Sequence, residues 1–236
     1  MSVIIPAFNE QAMLPRLIES VHVARGSYSG GVEIIVADNC SIDDTAQVAK
    51  SHGCRVVRVE KKSIGAARNG GAAVATGDIL CFVDADSRIH PHTFNAIENA
   101  MQDGSIIAGS TSTIPERWSM GIRATYALMM AIAALTRVDT GVVFCRRTDF
   151  QEIGGFQESR LFAEDIAFQV ALRRLGRRRG QHLTRLTQVK ALLSTRKFDE
   201  FGEWHLFTMG WRLLVATAMK RYRSDFTDRY WYKPKR

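Results

Sequence analysis

Ile79-Leu80-Cys81-Phe82-Val83-Asp84-Ala85-Asp86-Ser87 is an apolar run that ends in two carboxylates spaced i, i+2. Read as a strand, its side chains alternate between faces, so Asp84 and Asp86 point the same way at the strand's carboxyl end. Open α/β sheets place their ligands at that edge. Two like charges on one face repel unless a cation or a partner's donors sit between them. A hard divalent ion, Mg²⁺ or Mn²⁺, shared with substrate phosphates suits a site of one or two carboxylates. Asp-x-Asp is a short and common pattern, and the same acids also read as solvated residues of a turn. The surrounding chain has to decide between the two.

On both sides of this stretch, strand-like and helix-like segments alternate. Apolar, β-branched runs fall at Val3–Ile5, Val32–Ala37, Arg55–Val59 and Ile79–Val83. Between them Glu10–Ala24, Asp43–Ser51 and Ile64–Ala75 carry helical spacing. That alternation predicts an α/β fold with a mostly parallel sheet, right-handed crossovers and flanking helices. The carboxyl edge then gathers three polar loops: Phe8-Asn9-Glu10, the stretch Asp38 to Thr45, and Asp84 with Asp86. Together they predict a site. Beyond Ser110 come a long apolar segment, Trp118 to Val138, a short strand at Val142–Cys145 and a glycine turn, Gly154-Gly155-Phe156. Glu164-Asp165 opens an amphipathic helix, and Phe198 to Arg223 reads as a second, aromatic-rich one. No linker or internal repeat interrupts the chain. The expectation is one domain over 1–236, with a nucleotide-binding half at 1–104 and an acceptor half at 105–236.

The chain has 236 residues, 46% hydrophobic and 24% charged, an ordinary globular balance. Its formal net charge of +8 implies anionic partners: nucleotide phosphates, nucleic acid or an anionic membrane surface. The excess concentrates at Arg173-Arg174, at Arg177-Arg178-Arg179 and in the C-terminal stretch from Lys220. Charge runs of this kind are also simply solvated faces. The four cysteines, Cys40, Cys54, Cys81 and Cys145, are scattered, which fits a reducing cytoplasm better than a disulfide framework. No basic leader precedes the first strand. The longest uncharged apolar run, Ala124 to Thr136, falls short of the about 20 residues that cross a bilayer. The expected location is cytoplasmic, with peripheral contact at the inner face of a membrane as a further possibility.

Six motifs follow one another along the chain: Val3-Ile4-Ile5-Pro6-Ala7-Phe8-Asn9-Glu10, Val36-Ala37-Asp38-Asn39-Cys40-Ser41-Ile42-Asp43-Asp44-Thr45, Gly65-Ala66-Ala67-Arg68-Asn69-Gly70-Gly71, Asp84-Ala85-Asp86, Gly154-Gly155-Phe156 and Glu164-Asp165. In this order they resemble the family 2 inverting glycosyltransferases of the GT-A fold. The resemblance implies a nucleotide-sugar donor held across the carboxyl edge of the sheet. Pro6, Ala7 and Glu10 would line the base and ribose, and Asp38 and Asn39 would meet the base edge. The family more often has a second Asp where this chain has Asn39, so UDP is the favoured carrier while TDP and GDP stay open. Small residues at Gly65–Gly71 either let backbone N–H groups approach a phosphate or pack a helix tightly on the sheet. Arg68 is expected to add a bidentate donor to that phosphate.

By resemblance Asp86 is the direct ligand of Mn²⁺ or Mg²⁺, with Asp84 reaching the ribose or a metal-bound water. His182 and His205 are candidates for a third ligand, though a lone His is more often structural. Inversion by single displacement needs a base for the acceptor hydroxyl. The resemblance gives that role to Asp165, with Glu164 supporting it. Acids in a first helical turn also stabilise the helix by about 0.3–1 kcal/mol through its dipole, and both roles can hold at once. The chain lacks the Q-x-x-R-W motif of processive relatives, and Ser194-Thr195-Arg196-Lys197-Phe198 stands in its place, with Arg196 or Lys197 near the diphosphate or merely at a helix start. A single-addition transferase follows, acting on a glycan, lipid-linked or small-molecule hydroxyl.

The two apolar segments, Trp118–Val138 and Phe198–Arg223, are rich in Met, Trp and Phe and flanked by Arg and Lys; core packing is the favoured expectation, and a place in a membrane interface with the cations facing anionic lipid is the alternative. Peripheral membrane contact through Tyr230-Trp231-Tyr232-Lys233-Pro234-Lys235-Arg236 is a further hypothesis. Two other classes compete. A nucleotidyltransferase would carry a glycine-rich basic loop after the first strand, where this chain has Pro6-Ala7-Phe8-Asn9-Glu10. A basic nucleic-acid-binding module is suggested only by charge, and converging acidic loops argue against it.

Overall fold

In the computed structural model, which describes residues 1–159 and 164–204, the elements run β1 (Ser2–Ala7), α1 (Leu14–Gly26), β2 (Glu33–Asp38), α2 (Thr45–Ser51), β3 (Arg55–Arg58), α3 (Ile64–Ala73), β4 (Ile79–Phe82) and α4 (Thr93–Gln102). They continue with β5 (Ile106–Pro115), α5 (Met120–Thr136), β6 (Val143–Arg146), α6 (Arg147–Glu152), α7 (Glu164–Arg178), β7 (His182–Leu193) and α8 (Arg196–Phe201). Seven strands form one sheet in the order β3-β2-β1-β4-β6-β5-β7. β1 pairs in parallel with β2 and β4, and β2 with β3, while β6 runs antiparallel to both β4 and β5. This is the α/β, mostly parallel architecture that the sequence predicts.

β1 is buried along its whole length, and its alternation divides the core. Val3, Ile5 and Ala7 face a cluster with Leu14, Leu17, Ile18 and Val21 of α1 and Phe94 and Ile97 of α4. Ile4 faces the opposite cluster, with Ala72 of α3 and Phe168 and Leu172 of α7. α1 carries Pro15 in its first turn, where a fixed φ is favourable, and its buried residues repeat at helical spacing. α3 lies so close to the sheet that a Cβ on Gly71 would stand 2.5 Å from Cγ2 of Ile4. Gly71 is therefore a packing glycine.

The chain divides into two compact units: Met1–Ile114 with Arg137–Leu193, and Pro115–Thr136 with the segment from Ser194 onward. In the second, Arg117 pairs with Asp199 and Glu203, fastening the approach to α5 to α8 and the residues after it.

Two expectations change here. β4 ends at Phe82, so Asp84 and Asp86 do not share a face by strand alternation. They occupy a turn in which the N–H of Ser87 donates to the carbonyl of Asp84 at 3.0 Å. The core packing expected of Trp118–Val138 is also not met. α5 buries Gly121, Ile122, Thr125 and Ala133, but leaves Met120 80% and Leu135 87% exposed. Most of Phe198–Arg223, with the Tyr230–Arg236 tail, lies outside the described residues.

Candidate active site

The order β3-β2-β1 followed by β4 on the other side of β1 makes the β1/β4 boundary a topological switch point, where open sheets hold ligands. The loops after β1 and β2 are laced together at this edge. The N–H of Asn9 donates to Ser41 Oγ (3.0 Å), and the Asn9 side-chain oxygen accepts from the N–H of Ile42 (2.9 Å). The N–H of Glu10 donates to Thr45 Oγ1 at 2.8 Å. Asn9 and Cys40 both hold left-handed backbone, φ 53° and 62°. Strain of this kind persists only where surrounding bonds over-determine it. Pro6 and Ala7 close β1, opposite Ala37 and Asp38.

Asp38 is buried, and one of its carboxylate oxygens accepts from the N–H of Ser41 at 3.1 Å. Asn39, equally buried, is committed to the protein's own backbone. Its Nδ2 donates to the carbonyls of Val59 (3.0 Å) and Lys61 (2.7 Å), and its Oδ1 accepts from the N–H of Ser63 (3.1 Å). An aspartate there could not make the two donations. The departure from the family pattern thus has a local cause: Asn39 ties the end of β3 to the N-cap of α3.

Arg68 is the centre of the site. It projects from α3 with its side chain only 6% exposed, its guanidinium over the Phe156 ring at 5.1 Å from the centroid. Nη2 donates to Asp84 Oδ1 at 2.9 Å, and Nη1 donates to Asp165 Oδ1 at 2.8 Å and Glu164 Oε1 at 3.1 Å. Three carboxylates from the β4 turn and the first turn of α7 thus converge on one cation. Burial works against charge on Arg68, but Asp165, Asp84 and Glu164 outweigh it and hold the guanidinium protonated.

The two acids of α7 separate. Burial, then the charge of Asp165, push Glu164 up to about 8. Burial also works to raise Asp165, but Arg68 and a hydrogen bond from Glu164 more than offset it and bring Asp165 below its ordinary value. Burial thus favours the protonated form of Glu164, while Arg68 favours the ionised form of Asp165. Two titratable groups driven apart by their surroundings are a mark of acid–base sites.

Asn69, beside Arg68, clamps the glycine turn. Its Oδ1 accepts from the N–H of Phe156 and its Nδ2 donates to the Phe156 carbonyl, both at 2.9 Å. A Cβ on Gly155, which has φ 71°, would stand 2.7 Å from that Oδ1, so the second glycine is required on both counts. Neither Asn69 nor Phe156 stands out in the sequence as a site residue. The only signal is the adjacency of Arg68-Asn69 and their shared target, the turn that leads toward α7. A second buried polar group is equally silent in sequence. Asp139 accepts from Arg185 Nε at 2.7 Å, and Gln169 of α7 donates to the Asp139 carbonyl at 2.9 Å.

Asp84, with 43% of its side chain exposed, and the half-buried Asp86 share one turn beside this cluster. Hard oxygen donors such as these suit Mg²⁺ or Mn²⁺, which bind through one or two carboxylates and complete their shell with phosphates and water. Among the described residues no group of three or more His, Cys, Asp or Glu side chains is placed to hold a metal. His182 does not supply a third ligand. Its N–H donates to the carbonyl of Ser105, which precedes β5 and so lies at the amino edge of the sheet, opposite Asp84 and Asp86. His205 lies outside the described residues, and Arg196 and Lys197 fall in α8 of the second unit.

The family model described as Glycosyl transferase family 2 matches residues 2–179. The chain belongs to glycosyl transferase family 2. Its fold is the GT-A fold of the solved structures it superposes on. An uncharacterised glycosyltransferase of Mycobacterium bovis is 35% identical over 85 residues, 36% of this chain and 36% of that protein. The 4,4'-diaponeurosporenoate glycosyltransferase of Staphylococcus haemolyticus is 38% identical over 104 residues, covering 41% of this family 2 chain and 27% of its own. These matches therefore span well under half of the relatives' length. Among solved structures, glucosyl-3-phosphoglycerate synthase from Mycobacterium tuberculosis with Mn²⁺, UDP and phosphoglyceric acid superposes with a TM-score of 0.61 at 24% identity, over 93% of this chain and 77% of that one. S. aureus TarS in complex with UDP-GlcNAc gives a TM-score of 0.63 at 18% identity, over 82% and 58%. These likenesses establish the fold. Among the described residues no helix is long and apolar enough to cross a membrane.

Proposed function

We propose that this chain transfers a sugar from a nucleoside diphosphate donor, with UDP the favoured carrier, to an acceptor hydroxyl in a single inverting displacement. The observation that carries the reading is the Arg68 cluster. It joins an aspartate at the switch-point edge, Asp84, to an ionised carboxylate on a second element, Asp165. Donor chemistry and proton acceptance thus share one buried anchor. The complexes of two structural neighbours with UDP-GlcNAc or with UDP and Mn²⁺ support the choice of donor and ion.

In this reading Pro6, Ala7, Glu10 and Asp38 wall the nucleoside, and Asn39 braces that wall through its backbone bonds. Asp86 and Asp84 would hold a divalent ion, which would supply charge neutralisation for the departing diphosphate. Asp165 accepts the proton of the acceptor hydroxyl as that oxygen bonds to the anomeric carbon. The bond from that carbon to the diphosphate oxygen breaks on the opposite face, which inverts the centre. Glu164, protonated, donates a hydrogen bond to Asp165, and Arg68 keeps Asp165 ionised and aimed. Residues 1–236 act as one catalytic domain, with donor binding in 1–104 and the base helix in 105–236. The acceptor is a glycan, a lipid-linked sugar or a small molecule.

Calorimetric titration with UDP, TDP and GDP, each with and without Mn²⁺, tests this on wild type and Asp86→Ala. Binding of one nucleotide that needs both Mn²⁺ and Asp86 is the expected result. If none of the three binds in a metal-linked way, the donor-site assignment fails.

A further inference from the structure

α5 inverts the usual pattern of a surface helix. Its buried side carries Gly121, Ile122, Thr125 and Ala133. Its exposed arc carries Met120, Leu128, Ile132 and Leu135, with exposures of 80%, 51%, 52% and 87%. At 100° per residue, Leu128, Ile132 and Leu135 fall within one 60° sector, as follows from about 3.6 residues per turn, and Ala124 and Ala131 border it. Arg123 is the one charged residue of the helix. Apart from Ile122, the buried positions of α5 are small or polar, while four large apolar side chains face solvent.

The charge pattern selects the occupant. From Arg117 to Val138 there is no Asp or Glu, while Arg123 stands near the start of the helix and Arg137 follows its end. The same unit exposes Trp118 (44%), Phe201 (41%) and Trp204 (50%), and indole rings favour the boundary between lipid headgroups and acyl chains. At 17 residues α5 is about 25 Å long and too short to span a bilayer, but long enough to lie in its plane. A protein partner or second copy would need acidic groups to meet these arginines, whereas anionic headgroups supply them continuously. We propose that α5 is a docking surface for an anionic membrane, inserting Leu128, Ile132 and Leu135 below the headgroups while Arg123 and Arg137 meet lipid phosphates. This reading is independent of the donor chemistry, because it uses no residue of the Arg68 cluster.

The test is flotation of the full chain, without nucleotide, on vesicles of phosphatidylcholine alone or of equal parts phosphatidylcholine and phosphatidylglycerol. Wild type should float with the mixed vesicles and stay down with phosphatidylcholine alone. The combined variant Leu128→Glu, Ile132→Glu, Leu135→Glu should lose at least tenfold in bound fraction. Val23→Glu, at an exposed apolar site on α1, should float as wild type does. If the combined variant does not fold, as judged by its circular dichroism melt, Leu135→Glu alone should still lower binding severalfold. The proposal is overturned if wild type does not float, if flotation ignores phosphatidylglycerol, or if the α5 variants float like wild type. It is equally overturned if light scattering shows a wild-type dimer that the α5 variant turns into monomer, since a second copy then covers the face. Calorimetry with UDP reads the donor site separately, so either assignment can fail without the other.

Discussion

Arg68 Nη1 and Asp165 Oδ1 lie 2.8 Å apart across 97 residues of sequence, and the same guanidinium reaches Asp84 through its other Nη. The fork geometry of arginine makes that bridge possible, since a lysine ammonium is a point charge that cannot offer two fixed directions. Removing the cation leaves the largely buried carboxylate of Asp165 without its partner. Arg68→Ala should cost about 3–5 kcal/mol, the range for breaking one side of a buried ion pair. Arg68→Lys should recover part of the stability and little of the activity. Urea unfolding and sugar-transfer rates on both variants check this, and an Arg68→Lys enzyme with full turnover would show that the fork is not needed.

Asp165→Asn keeps the shape of the base and removes its ability to take a proton. Turnover should fall by about 10²–10⁴, the usual worth of general acid–base catalysis. Affinity for UDP should stay as in wild type, because the β1 and β2 loops are untouched. Steady-state kinetics together with calorimetry separate the two. A matching loss of UDP affinity would move Asp165 from the acceptor side to the donor side.

The α7 acids also set a pH dependence of stability. Glu164 rises from an ordinary value of 4.5 to about 8. Between those values the folded state holds a proton that the unfolded state has lost, so this stabilising contribution is complete below pH 4.5 and is lost as pH rises through 8. Asp165 is lowered, so its contribution holds above its ordinary value of 3.8 and is lost only as pH falls through its folded value. Glu164→Gln cannot ionise. The stability of wild type relative to Glu164→Gln should therefore fall steadily from pH 5 to pH 8. Guanidinium unfolding at a series of pH values measures this, and a flat difference would mean that Glu164 is already ionised in the fold.

The first four strands and three helices were legible because β-branched runs and helical spacing alternate there without conflict. In the antiparallel part, β6 was legible as the apolar run Val142–Cys145, but β5 was not. β5 contains Ser110-Thr111-Ser112-Thr113, all buried, and a polar run carries no strand signal until its hydrogen bonds to Asp139 and Arg185 are known. Residues 84 and 86 were found by their chemistry but placed by the wrong geometry, since alternation ends where β4 does. α5 misled for the opposite reason. Its apolarity reads as burial in sequence, because periodicity does not tell which side of a uniformly apolar helix faces protein. The convergence on Arg68 joins residues far apart in the chain, and no local pattern encodes it.

Asn39 offers the sharpest test of a departure from the family's usual residue. Replacing the amide by a carboxylate with Asn39→Asp would set one carboxylate oxygen against the carbonyls of both Val59 and Lys61, which now receive 3.0 Å and 2.7 Å donations. Buried groups left without partners cost about 1–3 kcal/mol each. The variant should therefore lose about 2 kcal/mol or more and gain nothing in UDP affinity. If it instead bound UDP more tightly at unchanged stability, the side chain would have to leave its backbone bonds and face the base. The comparison of unfolding midpoint and UDP affinity thus decides whether residue 39 builds the nucleoside wall or reads the nucleotide.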